Sequence, residues 1–316
     1  MSDLNPPREC TFSLADWAAL AGMWHPVAFS RDVGAQPIRA QLLDEALLVY
    51  RTSQGVVVAK DLCLHRGAAL SLGWMEGDEI VCAYHGFRYG PDGRCTLVPA
   101  HPDQRISRKI ALTTYRAVER YGLVWACLSG EPRNDLPDWP EAEDPAFRWL
   151  NVEPLDWNAS AARQIENFLD VAHFSFVHGG TFGNRERPEV PDYEVTPVEG
   201  GLHVEYPYLA SNPDHSPLGG EATIERWMVY DVTLPFAVRL IIDYPGGRRH
   251  AIFDVAAPIS AKKVRIFFFV ARNFDHDKPA EEIMGWERRI LGEDKPVVES
   301  QRPEELPLDL SEEFHI

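Results

Sequence analysis

Short hydrophobic runs, separated by turn-forming residues, characterise the first third of the chain. Residues 46–50 and 55–59 flank a turn and have the pattern of a β-hairpin. Further short strands are predicted at residues 79–83, 87–89 and 123–127. Gly, Pro and Asp cluster between these segments, which is the residue chemistry of tight turns. The pattern predicts an all-β module over about residues 35–130.

The second half of the chain begins and ends with helical periodicity. A helical pattern runs from about residue 159 to residue 178. Five strands follow, at residues 201–206, 223–233, 237–244, 250–256 and 263–271. Two helical stretches, 279–291 and 294–301, come last and are separated by Gly292. This order predicts an α+β domain in which helices flank an antiparallel sheet.

A Pro-rich and acidic stretch separates the two halves. Residues 130–148 contain four prolines and many acidic residues, a composition that suits an irregular linker. We therefore predict an all-β domain at residues 1–130 and an α+β domain at residues 131–316.

Composition and charge exclude several classes of protein. The 316 residues are 45% hydrophobic and 25% charged, which is ordinary for a globular protein and unlike collagen, a coiled coil or a disordered chain. Lys and Arg number 31 against 48 Asp and Glu, and the net charge of −17 argues against a nucleic-acid partner. No apolar run approaches the ~18–20 residues that span a bilayer. We therefore expect no membrane partner.

The cysteines and the first residues predict a cytoplasmic location. The five cysteines are an odd number without regular spacing, unlike the disulfide framework of a small secreted protein. The N-terminal residues lack the basic region and apolar core of a signal peptide. We expect a reduced, cytoplasmic protein.

Two cysteine–histidine pairs form the first group of candidate ligands. The chain contains Cys63-x-His65 and, after a gap of sixteen residues, Cys82-x-x-His85. Each pair lies on a predicted turn beside a strand, so two such loops facing each other would supply two thiolates and two imidazoles. Two centres fit this donor set: a tetrahedral zinc site, or a Rieske [2Fe–2S] cluster with two Cys on one iron and two His on the other.

The flanking residues favour the cluster over structural zinc. Gly67 lies two residues after His65, and Gly86 directly follows His85. Glycine permits close backbone approach, so that amide N–H groups can reach bridging sulfides. The other cysteines, Cys10, Cys95 and Cys127, are interpreted as small hydrophobic residues.

A second group of candidate ligands lies in the predicted helix at 159–178. Glu166, Asp170 and His173 stand at i, i+4 and i+7 and would share one helical face. His178 is five residues beyond His173, roughly 140° out of phase on a regular helix, so the helix must loosen or end between them if both reach one metal. Two His and one carboxylate are typical of mononuclear non-heme Fe(II) oxygenases. An amphipathic helix with structural histidines is the alternative.

Together, these two groups resemble the motifs of Rieske non-heme iron aromatic ring-hydroxylating oxygenases, in the alpha (oxygenase) subunit. The resemblance covers nearly the whole chain and includes the order of the modules. It implies that the cluster ligands are Cys63, His65, Cys82 and His85. It also implies that His173 and His178 bind iron and that Asn167 lies near the open iron positions. Asp170 would connect the ring of His173 to His85 across a subunit boundary.

The resemblance places the third iron ligand in a late helix. It implies Asp294, with Glu293 and Glu299 as the other candidates. Asp294 is followed by Lys-Pro, so it could instead be the N-cap of a helix.

The implied activity needs O₂ and an external electron supply. No glycine-rich dinucleotide fingerprint is present, so the expected partners are an NAD(P)H reductase, a ferredoxin, or both. Lys60, Arg66 and Arg88 near the cluster could form a basic patch for an acidic donor, or be ordinary solvated charges.

The substrate is expected to be an aromatic or polycyclic small molecule. The short chain resembles the homotrimeric monooxygenase and demethylase branch, which favours hydroxylation or oxidative demethylation over cis-dihydroxylation. A Rieske electron-transfer protein with a non-catalytic second domain is the alternative of another class. Arg226 or Arg239 could hold a substrate carboxylate, but the sequence alone does not favour this.

Overall fold

The computed structural model describes residues 5–211, 223–309 and 311–314. The chain divides into two compact units between Asp135 and Leu136. This division lies in the Pro-rich acidic stretch where the sequence predicted a boundary after residue 130. No helix in the described ranges is long and apolar enough to cross a bilayer.

The first unit is built almost entirely from β-strands. Its elements are α1 (Leu14–Leu20), β1 (His25–Phe29), β2 (Ile38–Leu42), β3 (Glu45–Thr52), β4 (Gly55–Lys60), β5 (Trp74–Glu76), β6 (Glu79–Val81), β7 (Arg88–Tyr89), β8 (Cys95–Leu97), β9 (Thr114–Arg120) and β10 (Leu123–Cys127). One antiparallel sheet has the order β1-β10-β9-β4-β3-β2, and a smaller one has the order β5-β6-β7-β8. The predicted hairpin is present as β3 and β4, with Thr52 opposite Gly55.

The second unit is an antiparallel sheet with helices against one face. Its elements are β11 (Arg148–Asn151), β12 (Leu155–Trp157), α2 (Ala161–Leu169), α3 (Phe174–Val177), β13 (Val195–Val198), β14 (Gly201–Ser211), β15 (Thr223–Thr233), β16 (Ala237–Tyr244), β17 (Arg248–Ser260), β18 (Lys263–Arg272) and α4 (Ala280–Val298). The strand order is β11-β18-β17-β16-β15-β14-β13, and β12 also pairs with β18. The predicted α+β class, all-β unit first, is confirmed.

Alternation along the long strands decides which side chains reach the helices. In β15, Arg226, Met228, Tyr230 and Val232 are buried, whereas the residues between them are more exposed. Successive strand residues point to opposite faces, so one face of β15 is directed into the unit. Met228, Tyr230 and Val232 belong to the core that also contains residues of α2 and α4.

The helix predicted at 159–178 is interrupted. Helix α2 ends at Leu169, and Asp170 is extended, with φ −72° and ψ 134°. The Asp170 carboxylate accepts hydrogen bonds from the amides of Ala172 (2.8 Å) and His173 (3.2 Å), and such bonds compete with helix continuation. The prediction that Glu166, Asp170 and His173 share a helical face is therefore wrong. Between the two histidines the chain forms α3, which ends at Val177, so the expected end of the helix before His178 is found.

The two late helices predicted from the sequence are one helix. Helix α4 runs from Ala280 to Val298 without a break at Gly292 and has Pro296 inside it. Glycine costs a helix about 1 kcal/mol relative to alanine. The buried side chains of α4 on both sides of Gly292, including Leu291 and Val298, oppose that cost by packing into the core. Asp294 is consequently a mid-helix residue and not an N-cap.

Aromatic side chains pack on the face of the second unit's sheet that is turned away from its helices, and they are expected to stabilise the fold. Phe253 is fully buried and pairs in register with Phe269, and the ring of Trp139 lies 4.8 Å from that of Phe253. We expect Phe253→Ala to lower the free energy of unfolding by about 3–5 kcal/mol through lost packing and a cavity. Urea unfolding measures this change. Leu308→Ala, at a side chain that is 88% exposed, should change it by less than about 0.5 kcal/mol.

Candidate metal centres

Two loops of the first unit carry the predicted cysteine and histidine residues. In the first loop, the amide of Cys63 donates to the carbonyl of Ala68 (2.8 Å), and the amide of Gly67 donates back to the carbonyl of Cys63 (2.9 Å). These two bonds close a tight loop with His65 at its tip. The histidine is exposed, whereas the cysteine is buried.

The second loop repeats this construction. Cys82 donates to the carbonyl of Phe87 and Gly86 donates to the carbonyl of Cys82, each at 2.9 Å. Gly67 and Gly86 have φ values of +70° and +68°, in the left-handed region that side chains disfavour. The glycines singled out in the sequence are therefore required by the loop backbone itself.

The four side chains of these loops are arranged with sulfur inside and imidazole outside. Cys63 and Cys82 are 2% and 1% exposed, and the rings of His65 and His85 are exposed with centroids 4.5 Å apart. The Tyr89 hydroxyl lies 3.3 Å from Cys63 Sγ and can donate to a thiolate there. Burial raises the pKa of the Cys82 thiol, so a bound cation is needed to hold it as thiolate. This donor set fits a [2Fe–2S] cluster with one buried and one surface iron.

The second unit brings three further donor atoms together. Nε2 of His173 and Nε2 of His178 lie 3.1 Å apart, and Asp294 Oδ1 lies 3.4 Å and 3.2 Å from them. Donors about 2.1 Å from one metal ion and at right angles to each other are separated by about 3.0 Å. Among the described residues, His173, His178 and Asp294 form a group whose possible ligand atoms all lie within 4.8 Å of one another.

A carboxylate lies beside Nδ1 of each imidazole, on the opposite side of the ring from the converging Nε2 atom. Nδ1 of His173 lies 3.1 Å from Asp170 Oδ2, and Nδ1 of His178 lies 2.9 Å from Glu293 Oε2. The Thr181 hydroxyl donates to the same Glu293 oxygen (3.0 Å). A carboxylate that accepts from Nδ1–H leaves the lone pair of Nε2 for a metal. Glu293, an alternative third ligand in the sequence, therefore positions His178 instead.

The remaining alternative ligand also has another partner. Glu299 Oε1 accepts a hydrogen bond from the amide of Asn158 at 2.8 Å. Asp294, in contrast, is buried, and its Oδ1 forms no well-aligned hydrogen bond with a described residue.

A positive charge would stabilise the group formed by His173 Nε2, His178 Nε2 and Asp294 Oδ1. Burial disfavours the charged form of His173, but Asp170 and Asp294 outweigh it and raise its pKa to about 9. Burial likewise opposes ionisation of Asp294, and the two histidines overcome it and lower the pKa of that carboxyl. Two lone pairs and a carboxylate within 3.4 Å repel each other unless a proton or a metal ion lies between them.

The three donors lie on the wall of a cavity. It encloses about 920 Å³ of space when the open solvent at its mouth is counted. Asn167, at the end of α2, lines the same cavity. Most of the wall is apolar or aromatic, with Phe168, Phe174, Phe182, Met228, Leu240, Ile242, Ile252, Phe268, Phe274 and Trp286 among its residues.

Of the polar end of this cavity, sequence reasoning named only Arg226, without favouring it. Arg226, His250, Arg272 and Glu287 also line it. A signal was present in β15, where Arg226 alternates in step with Met228 on a face that is otherwise apolar. Arg239, the other arginine considered, donates to Glu141 (3.0 Å) and Asp231 (2.7 Å) and does not line the cavity.

The expected basic patch near the cluster is largely neutralised. Lys60 pairs with Glu45 at 2.9 Å, and Arg88 pairs with Glu76 at 2.6 Å. Arg66 is exposed. This favours ordinary surface charges over a basic docking site.

Comparison with known proteins identifies the family. Residues 23–116 match the Rieske [2Fe-2S] domain, and residues 157–316 match the vanillate O-demethylase oxygenase C-terminal domain. The chain belongs to the Rieske oxygenase family. It is 33% identical over 300 residues to methylxanthine N1-demethylase NdmA of Pseudomonas putida, covering 92% of this chain and 83% of that protein.

One further relative and a solved structure support this membership. The vanillate O-demethylase oxygenase subunit of Pseudomonas sp. (strain HR199 / DSM 7063) is 26% identical, covering 88% of this chain and 85% of that protein. The structure of Pseudomonas putida CBB5 NdmA with caffeine superposes with a TM-score of 0.84 at 31% identity, covering 95% of this chain and 87% of that one.

Membership of the Rieske oxygenase family confirms several predictions. The protein is an enzyme, the oxygenase component of a Rieske system, and monooxygenation is favoured over cis-dihydroxylation. It uses a Rieske [2Fe–2S] cluster, mononuclear iron and reductase-supplied electrons. Structural zinc and a purely electron-transferring role are thereby ruled out as descriptions of this chain.

The carboxylates near the histidines can be tested separately. We expect Asp294→Asn to weaken Fe(II) binding more than about 100-fold, because it removes a charged donor atom, and Glu293→Gln to weaken it about 10–100-fold, because it only loosens His178. Glu299→Gln is the matched control and should have no effect. Iron analysis after dialysis measures this, and the cluster absorbance should stay unchanged in all three variants. Stronger iron loss from Glu293→Gln than from Asp294→Asn would contradict this assignment.

The raised pKa of His173 predicts a pH dependence. With its pKa near 9, the metal-free site carries a proton at pH 7.5, so Fe(II) uptake should release about one proton. Affinity should rise about tenfold per pH unit up to about pH 9. Because this folded-state pKa exceeds the unfolded value, the proton stabilises the metal-free fold fully below about pH 6.5, and that contribution is lost as the pH rises through 9. Calorimetry in two buffers of different protonation enthalpy counts the proton; no release would contradict this interpretation.

Proposed function

We propose that this oxygenase removes a methyl group oxidatively from, or hydroxylates, an aromatic small molecule held in the cavity of its second unit. The observation that carries the proposal is the convergence of His173, His178 and Asp294 on the wall of that cavity. A substrate in the cavity would lie directly beside the three donors.

The proposed division of labour follows the two groups of ligands. Cys63, His65, Cys82 and His85 would hold the cluster, and His173, His178 and Asp294 would hold the iron. When bound, the cluster supplies single electrons and the iron supplies the reaction with O₂. The protein side chains fix the positions of both groups and shape the space for the substrate.

The ring of Phe182 contributes to the fixed geometry of His178. It stacks against that imidazole with centroids 4.8 Å apart and an interplanar angle of 28°. Phe174 also lies beside His173, with ring centroids 4.9 Å apart. These aromatic side chains keep water away from one side of the site and restrict rotation of the imidazoles. Asn167 lines the same cavity and is proposed to face the substrate.

We propose that Asp170 connects the two kinds of centre between subunits. Its carboxylate holds the ring of His173, and yet its side chain is 44% exposed. His85 is also exposed. An exposed carboxylate behind one ligand and an exposed imidazole at the cluster suit a hydrogen bond between neighbouring copies of the chain in a trimer.

We further propose a cytoplasmic homotrimer. All five cysteines are free, as in a reducing compartment. Three chains of 35.7 kDa give a particle of about 107 kDa, which light scattering would measure. A monomer at micromolar concentration would contradict the proposed role of Asp170.

Activity can be tested with a surrogate NAD(P)H reductase and a panel of methoxylated and N-methylated aromatic compounds. We expect O₂- and NAD(P)H-dependent release of formaldehyde or formation of a hydroxylated product. Oxidation without any product from the panel would count against the proposal, provided that both metal centres are loaded.

Asp170→Asn tests the connection between the centres. We expect it to lower turnover per bound iron by more than about 100-fold, because an amide cannot accept from both imidazoles as a carboxylate does, with the cluster content near wild type and iron supplied in excess to keep the site loaded. Asp192→Asn, at an exposed site, is the control. Wild-type turnover by Asp170→Asn would refute the bridging role.

A further inference from the structure

The cavity has a polar end at a fixed distance from the three metal-binding donors. Glu287 and Asp294 both line it and stand seven residues apart on α4. Seven helical residues rise about 10.5 Å, so two turns of helix separate the two carboxylates along the axis. An aromatic ring with substituents at opposite positions can bridge this span.

The charges at the polar end are unevenly paired, because both carboxylates there lie against the same arginine. Arg272 is paired with Glu287 (3.3 Å) and with Asp275 (3.6 Å), and its Nε donates to Nδ1 of His250 (3.0 Å). Arg226 has no such partner. Its residue is 8% exposed, its Nε is buried without a hydrogen bond, and no described carboxylate forms an ion pair with it.

Aromatic rings hold Arg226 without neutralising it. Its guanidinium lies 5.3 Å from the ring centre of Tyr244 and 5.7 Å from that of Phe182, and both rings line the cavity. A buried cation without an ion-pair partner loses its hydration and gains no direct counter-charge in return. A ligand carboxylate would relieve this cost by accepting two N–H bonds in the geometry that guanidinium favours.

His250 offers a second donor at the same end. Because its Nδ1 accepts from Arg272, the neutral ring carries its proton on Nε2. That nitrogen lies 3.5 Å from Glu287 Oε1, but without the alignment of a hydrogen bond. Burial, together with Arg272 and Arg226, lowers the pKa of His250 well below its ordinary value, so the ring stays neutral. Burial also raises the pKa of Glu287 to about 7, which weakens the negative charge beside His250.

We propose that Arg226, assisted by His250, binds a carboxylate group of the substrate, so that this oxygenase acts on an anionic aromatic molecule. The inference rests on the proposed function, since it takes the cavity to be the substrate site. The carboxylate would be bound at the polar end, and the group to be oxidised would lie beside His173, His178 and Asp294. Neutral analogues of the same shape would leave Arg226 unpaired.

Binding can be measured separately from turnover. The holoprotein is titrated by calorimetry, without electron donor, with 4-methoxybenzoate and 3-methoxybenzoate and with the corresponding neutral benzamides. We expect the better benzoate to bind at least about tenfold more tightly than its amide, since charge-assisted hydrogen bonds supply that difference. Arg226→Gln should reduce this ratio to about one, and Arg226→Lys should restore part of it.

The matched control is Arg249→Gln. Arg249 neighbours His250 in β17 but pairs with Asp243 (2.6 Å) and does not line the cavity, so the ratio should stay at the wild-type value. Equal affinity of wild type for acid and amide would overturn the proposal. Equal weakening of both ligands by Arg226→Gln, or no saturable binding of either benzoate, would also overturn it.

These outcomes are distinguishable from failure of the proposed function. Selective benzoate binding that depends on Arg226, without any oxidised product when a reductase is added, would leave the anion site standing and refute the oxygenation of such substrates. Oxidation of a methoxybenzoate by Arg226→Gln with the wild-type kcat/KM would support the function and refute the anion site.

Discussion

The interruption of a helix by the Asp170 carboxylate is the constraint on which the second unit's chemistry depends. On an unbroken helix, His173 and His178 would point in directions roughly 140° apart. By accepting hydrogen bonds from Ala172 and His173, Asp170 ends the helical run after Leu169 and lets a short second turn begin. That turn, α3, ends at Val177, and His178 at its C-cap departs from helical geometry (φ −96°, ψ 21°), so the Nε2 atoms of the two imidazoles lie 3.1 Å apart. The same carboxylate also holds the ring of His173, so backbone direction and ligand orientation have one cause.

The antiparallel sheet and α4 form the walls of the cavity beside His173 and His178. Strands β15 to β18 form a floor of side chains that share one face, and α4 lies over it with Asp294 at one end of the cavity and Glu287 at the other. Both carboxylates are buried, and a different positively charged or hydrogen-bonding group offsets the loss of hydration of each. Asp294 faces two imidazoles, whereas Glu287 faces Arg272. The cavity is therefore apolar along its length and charged at its two ends, which selects for molecules with the same distribution.

The two metal-binding regions differ in how they obtain rigidity. In the first unit, each cysteine is held by a loop of a few residues closed by its own amides and a glycine with positive φ. In the second unit, His178 depends on Glu293, which is 115 residues away in the chain. The first design can form as soon as its loop forms. The second requires that α3 and α4 are already packed together.

The sequence alone determined the features that depend on short-range chemistry. The cysteine and histidine loops, the strands and the family follow from spacing, alternation and glycine positions. The tertiary structure decided the rest, because long-range packing outweighs local propensity. Gly292 was expected to end a helix, but burial of its neighbours keeps α4 continuous and places Asp294 in mid-helix. The separate roles of Glu293 and Asp294, and the unpaired guanidinium of Arg226, became visible only when distant strands and helices were brought side by side.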